Sequence, residues 1–143
     1  MIILDTNVVS EIIRREPDPA VIRWVAAQSP VTVFTTAVTQ AEMLAGVEIL
    51  PSGPRRLKLA LAIAAIFSEE FPGRILPFGS DVAPAYALIV ALRTKAGKPI
   101  SQFDAMIAAI ARTTSAAIAT RNTSDFVDCG VQVVNPWTAK LHQ

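Results

Sequence analysis

The 143-residue chain predicts an α/β fold, with a central, mostly parallel sheet of five strands between two helical layers. Two patterns carry that expectation. Short runs of β-branched or consecutive apolar residues alternate with longer segments whose apolar residues recur at three- and four-residue steps. Breaks bearing proline and glycine punctuate the alternation, as at Pro51-Ser-Gly-Pro54 and Pro72-Gly73. The length is that of one domain, residues 1–143, with no repeat, low-complexity tract or dividing linker.

Ile2 to Leu4 reads as a fully buried strand, because its apolar residues are consecutive rather than alternate. Asp5 ends it. Val8, Val9, Ile12 and Ile13 then fall at helical spacing as far as Arg15, and Pro17 stops that segment. Asp18 before Pro19 is a helix start, with Ala20, Val21, Trp24 and Val25 on one face and Pro30 as its close. Val31 to Thr36 is β-branched and aromatic, hence strand two. Thr36 or Thr39 caps the next helix, which runs to about Leu50. An Ala/Leu-rich helix follows the Pro51–Pro54 break and ends near Pro72. Arg74 to Phe78 predicts a third strand whose Pro77 marks its end or a sheet edge. Ser80 or Asp81 opens a helix with Val82, Ala85, Tyr86, Ile89 and Leu92 on one stripe, ended by Gly97 and Pro99. Phe103 to Thr113 is a further helix, and Ala117–Thr120 and Val131–Val134 are strands four and five.

Thirteen basic and twelve acidic residues leave a formal charge of +1, which argues against bulk electrostatic adhesion to nucleic acid but not against a local basic rim. The lone Cys129 forms no internal disulfide, which fits a reducing cytoplasm. No basic leader precedes the first strand, and the most apolar stretch, Leu57–Phe67, is far shorter than the ~20 residues that span a bilayer. A soluble, cytoplasmic protein without membrane contact is expected.

Chemistry is expected where strand one ends. In a parallel α/β sheet, ligands gather at the carboxyl ends of the strands, and Asp5-Thr6-Asn7 stands there. Asp5 is alternatively a turn residue bonding its own backbone. In the helix that follows strand two, Glu42 falls on the stripe of Val38, Ala45 and Ile49, away from Gln40 and Glu48. A carboxylate on an apolar stripe needs a cation, a proton or an exposed position. Ser101-Gln-Phe-Asp104 matches a capping box, and Asp104 is also placed to hold a cation beside the strand ends. Asn122 or Asp125, after strand four, could add an oxygen ligand or serve as turn residues.

Other chemistries lack their residues. The only histidine, His142, is next to the C-terminus, which disfavours a histidine triad or a multi-histidine zinc site. No GxGxxG is present, nor a GxxxxGK followed by Ser or Thr. A phosphatase of the haloacid-dehalogenase kind also ends strand one in Asp, but needs a second Asp where this chain has Asn7. Arg14-Arg15, Arg55-Arg56-Lys58 and Arg93 to Lys98 read as solvated faces that could also guide a phosphate backbone.

Together, DTN after strand one, AE in TQAEMLAG, FDAMIAA and ATRNTSDF resemble the PIN-domain ribonucleases, and most of all the VapC- and FitB-like toxins of type II toxin–antitoxin pairs. The resemblance covers nearly the whole chain, including RILPF and NPW. It implies a PIN-domain α/β/α sandwich, a homodimer, and cleavage of RNA, often tRNA or rRNA. It also implies Mg2+ or Mn2+ held by Asp5, Glu42 and Asp104, and neutralisation by a VapB/FitA-like antitoxin that carries the pair to operator DNA.

The chain departs from several relatives at Asn122, where they carry Asp; others have Asn there, followed by an aspartate placed as Asp125 is. Three carboxylates suffice for one Mg2+ and fall short of two, so one firmly held ion is expected. Asp5 and Asp104 are the expected direct ligands, with Glu42 as a further ligand or the residue that orients the attacking water. Thr6, Asn7, Ser101 and Thr120 are expected to fix the acids by hydrogen bonds. Without metal, the cluster should repel itself and raise some of its own pKa values. The competing expectation is a catalytically silent PIN-fold protein that acts only through antitoxin and operator DNA.

Overall fold

The structure is a computed structural model that describes residues 1–141, so His142 lies outside the described residues. Strands β1 (Ile2–Leu4), β2 (Val33–Thr36), β3 (Ile75–Leu76), β4 (Ala117–Ala119) and β5 (Val133–Val134) form one sheet in the order β3-β2-β1-β4-β5. Every pairing is parallel, with Ile2 opposite Val33 on one side of β1 and opposite Ala117 on the other. The central strand is therefore the first one made. From it the chain winds outward through β2 to β3, then returns to β1's other side for β4 and β5. The winding reverses between β1 and β4, and a crevice at the carboxyl ends is expected at such a point.

Among the described residues, six α-helices cover the sheet: α1 (Thr6–Ile12), α2 (Pro19–Ala26), α3 (Ala37–Glu48), α4 (Pro54–Ala65), α5 (Ala83–Lys95) and α6 (Gln102–Thr114). Alternation along β1 and β4 divides the core. Ile3 and Ile118 join Ile89, Ile107 and Ile110 under α5 and α6, whereas Leu4 and Ala119 join Val8, Val21, Trp24 and Ile63 on the opposite face. The result is the expected three-layer α/β/α sandwich with a five-stranded sheet. Among the described residues, no helix is long and apolar enough to cross a membrane.

Several elements begin or end elsewhere than the sequence predicts, each for a local reason. Val31 and Thr32 lie in a 3-10 turn that starts at Pro30, where the ring presets the turn and the Thr32 hydroxyl donates to Ser29 O at 2.7 Å. β3 keeps only Ile75 and Leu76, on the sheet edge, because Pro77 has no N–H to continue the ladder. Ser80 and Asp81 form a turn rather than a cap, and α5 starts at Ala83 with Pro84 in its first turn. Val131 packs into the α5/α6 core before β5 begins.

Two helix faces also differ. In α3 the buried residues are Val38, Thr39, Met43 and Val47, while Ala45 and Ile49 are exposed, so the stripe assigned to Glu42 holds only at Val38. In α5, Leu92 faces solvent and Arg93 is buried at 5 % exposure, against its reading as part of a solvated basic face. Its Nε donates to Lys98 O at 2.6 Å, and its Nη1 donates to Asp125 O at 2.7 Å and Val127 O at 2.9 Å. Carbonyls, rather than a carboxylate, receive this buried cation.

Candidate metal centre

Asp5 is the residue at which β1 becomes α1. Its extended backbone (φ −70°, ψ 163°) ends the strand, and its carbonyl accepts from Val8 N and Val9 N to start the helix. The carboxylate is buried at 5 % exposure. Oδ1 accepts from Thr6 N at 2.8 Å, and Oδ2 accepts from the Thr120 hydroxyl at 2.8 Å and the Asn7 amide at 3.2 Å. The turn role and the site role weighed for Asp5 coexist in one side chain.

Thr120 follows β4 directly across the switch point. Its hydroxyl has one hydrogen and gives it to Asp5; its lone pairs accept from Asn7 Nδ2 and Asn122 N, both at 3.1 Å. A second hydroxyl chain serves Glu42. Thr6 Oγ1 donates to Glu42 Oε1 at 3.1 Å and pairs with Thr39 Oγ1 at 3.1 Å, so Thr39 supplies the hydrogen of that second bond. Asp104 stands in the first turn of α6, where Ser101 caps the helix by accepting from Asp104 N at 3.2 Å.

Asp5, Glu42, Asp104, Asn122 and Asp125 line one pocket of about 500 Å³, together with Thr6 and Asn7. The carboxyls of Asp5, Glu42 and Asp104 are all raised above their ordinary range. Burial is the largest cause in each, opposed by Thr120 at Asp5, by Thr6 at Glu42 and by Ser101 at Asp104. Mutual repulsion comes after these: Asp104 and Asp125 act on Asp5, Asp5 and Asp104 on Glu42, and Asp125 on Asp104, which the Arg93 guanidinium partly offsets. The direction expected from self-repulsion holds, but desolvation leads it.

This donor set suits a hard divalent cation. Among the described residues, no three His, Cys, Asp or Glu side chains form a closed ligating group. What the pocket offers is a set of spaced carboxylate oxygens with room for water between them. Mg2+ keeps several of its waters and takes one or two carboxylates directly, so an open acidic pocket fits it better than a closed cage would. A larger cavity of about 590 Å³, on the α1–α2–α4 side, is lined by apolar residues such as Ile12, Ile13, Val25 and Phe71. None of the five candidate site residues lines it.

Four pocket residues, Ser10, Glu11, Arg121 and Trp137, were not singled out from the sequence. Ser10 and Glu11 belong to a polar stripe, Asn7, Ser10, Glu11 and Arg14, whose spacing is that of one helix face and could have flagged them. Glu11 is buried, and accepting from Asp18 N at 3.0 Å, with Arg14 Nη1 also at 3.0 Å, holds its carboxyl below the ordinary range. Arg121 and Trp137 line the same pocket from the chain after β4 and β5, and nothing local in the sequence joins them.

A PIN-domain family model matches residues 2–129. The chain is 39 % identical over 137 residues to a VapC ribonuclease of Sinorhizobium fredii, covering 96 % of this chain and 98 % of the relative. It is equally 39 % identical over 137 residues to the toxin FitB of Neisseria gonorrhoeae, covering 96 % and 99 %. A solved FitAB complex bound to a DNA fragment superposes with a TM-score of 0.90 at 39 % identity, over 100 % of both chains. With its parallel sheet, its acids at the switch point and this likeness along its whole length, the chain belongs to the PIN-domain family, among the VapC- and FitB-like proteins.

Proposed function

We propose that the chain is an endoribonuclease dependent on a divalent metal, Mg2+ or Mn2+, and acts as the toxin of a type II toxin–antitoxin pair. The observation that carries this reading is the gathering of carboxylates from β1, α3, α6 and the segment after β4 around one pocket at the sheet's switch point.

A bound divalent ion would acidify a coordinated water and stabilise charge on the reacting phosphate. Asp5 and Asp104 would hold it, Asp5 being fixed by the Thr120 hydroxyl and the Thr6 amide. Glu42 presents Oε1 to Thr6 and keeps its other oxygen for a water or a proton. Burial raises its pKa, which makes it a stronger acceptor for the attacking water's proton. That water's oxygen would bond to phosphorus, the bond to the leaving sugar oxygen would break, and the sugar oxygen would take a proton from solvent. Asp125 faces both Asp5 and Asp104 electrostatically and is the better candidate than the uncharged Asn122 for a fourth position.

The partners follow from relatives. FitAB and VapBC complexes, several of them bound to DNA, support a VapB/FitA-like antitoxin and, through it, operator DNA. Exposed Leu44, Ile49, Leu57 and Leu61 on α3, α4 and the turn after α3 offer an apolar surface for a homodimer. A tRNA or rRNA substrate places the action in the cytoplasm. The test is cleavage of RNA by the partner-free chain with metal, with chelator, and with Asp5→Asn or Asp104→Asn.

A further inference from the structure

We propose that Arg121, held over Trp137, clamps a backbone phosphate of the RNA strand next to the scissile one; the proposal rests on the ribonuclease reading above. A polyanionic substrate meets a pocket lined by five carboxylates: Asp5, Glu11, Glu42, Asp104 and Asp125. A divalent ion held there would neutralise part of that charge, and the strand on either side would need cations of its own. The lining holds two, Arg14 and Arg121. Arg14 is committed to Glu11 at 3.0 Å. Arg121 forms none of the ion pairs seen among the described residues; its charge only helps from a distance to hold the Glu11 carboxyl down, so its guanidinium donors are free to take a phosphate.

Its position is built. Arg121 N donates to Asn7 Oδ1 at 3.1 Å, and the Asn7 amide donates to Asp5 Oδ2, so the backbone of Arg121 is referenced to the central acid through one side chain. The guanidinium carbon lies 5.1 Å from the centre of the Trp137 ring. The backbone N–H of Trp137 donates to Asn135 Oδ1 at 2.9 Å, which fixes the main chain that carries the ring. An aromatic ring under a guanidinium restrains it without using its N–H donors, which stay available in the fork geometry that matches a phosphate. A lysine would supply the charge without the stacked plane.

The experiment is initial-rate cleavage of a labelled, mixed-sequence single-stranded RNA by the partner-free chain in Mg2+, over a series of RNA and KCl concentrations. Arg121→Ala should raise KM about tenfold at low salt and leave kcat within about threefold, as expected when one charge-assisted phosphate contact is lost. The salt slope of kcat/KM should become shallower by about 0.7, the share of one phosphate on a single strand. Arg121→Lys should recover the slope but only part of KM, and Trp137→Leu should resemble it. Mn2+ binding by Arg121→Ala, followed by calorimetry, should be unchanged or tighter, because a cation has left the pocket rim. Unchanged KM and slope in Arg121→Ala, with an active parent chain, would overturn the clamp alone. Parallel loss of Mn2+ binding and thermal stability would make Arg121 structural and overturn it too. A folded parent chain that neither binds nor cleaves RNA would remove the clamp together with the ribonuclease reading.

Discussion

The Thr120 hydroxyl donates to Asp5 Oδ2 at 2.8 Å, joining the ends of β4 and β1 across the point where the sheet's winding reverses. These residues are 115 positions apart, and the bond is buried. One hydrogen bond thus couples closure of the sheet to the orientation of the central carboxylate, and the Thr120 hydroxyl oxygen also accepts from Asn7 Nδ2 and Asn122 N.

Thr120→Val keeps the shape and removes that oxygen. Asp5 loses a donor, and Asn7 Nδ2 and Asn122 N lose an acceptor. Unfolding by denaturant should show a loss of about 1–3 kcal/mol, the cost of leaving buried polar groups unpaired. Mn2+ affinity should fall about 10–100-fold, as is usual when a group orienting a metal ligand is removed. Thr120→Ser, which restores the hydroxyl, should recover most of the affinity.

Stability of the metal-free chain should depend on pH with a definite sign. Asp5, Glu42 and Asp104 are raised from ordinary values of 3.8, 4.5 and 3.8, so the folded state holds their protons more tightly than the unfolded state does. Their contribution is complete below those ordinary values and is lost as pH rises through the raised ones. Glu11 has the opposite sign, but its contribution is already in place above 4.5. Melting temperatures of the metal-free chain should therefore fall as pH rises from those ordinary values through the raised ones. Mn2+ should restore more stability at the upper end than at the lower, because its ligands must be deprotonated. Asp5→Asn should flatten both trends.

The buried Arg93 guanidinium ties α5 to the carbonyls of Asp125 and Val127, and so to the segment that carries Asp125 into the pocket. Arg93→Met should cost about 1–3 kcal/mol, as these carbonyls lose their donor. It should also push the Asp104 carboxyl further upward, since Arg93 is the cation that holds it down. Carboxyl titration followed by NMR would show this as a higher midpoint for Asp104 in the variant than in the parent.

The layers of the fold were legible because they rest on periodicity. The consecutive apolar run Ile2–Leu4 marks a strand buried on both faces, and Asp18-Pro19 and Ser101 mark helix starts that the structure shows as N-caps. Strand lengths were less legible. Val31 and Arg74 look like strand residues, but a proline turn and a sheet edge decide their state, and neither is a property of the local pattern. Asp5 and Asp104 could be singled out as acids beside strand ends; Glu42 was singled out by an apolar stripe that holds only at Val38, and all three line one pocket. Arg93 could not. A basic residue on a helix reads as solvated until the carbonyls of a segment some 32 positions away close around it. Arg121 and Trp137 meet for the same kind of reason, since only the pairing of β4 with β5 brings their segments together.

The central claim is that the acidic pocket hydrolyses RNA with the help of a divalent ion. Its most direct test is end-mapped cleavage of total cellular RNA by the purified, partner-free chain in Mg2+ or Mn2+, beside chelator, Asp5→Asn and Asp104→Asn. Discrete cuts that disappear in all three controls are the predicted result. A folded chain that still binds its antitoxin but makes no metal-dependent cut would contradict the account, leaving a PIN-domain protein that acts by binding alone.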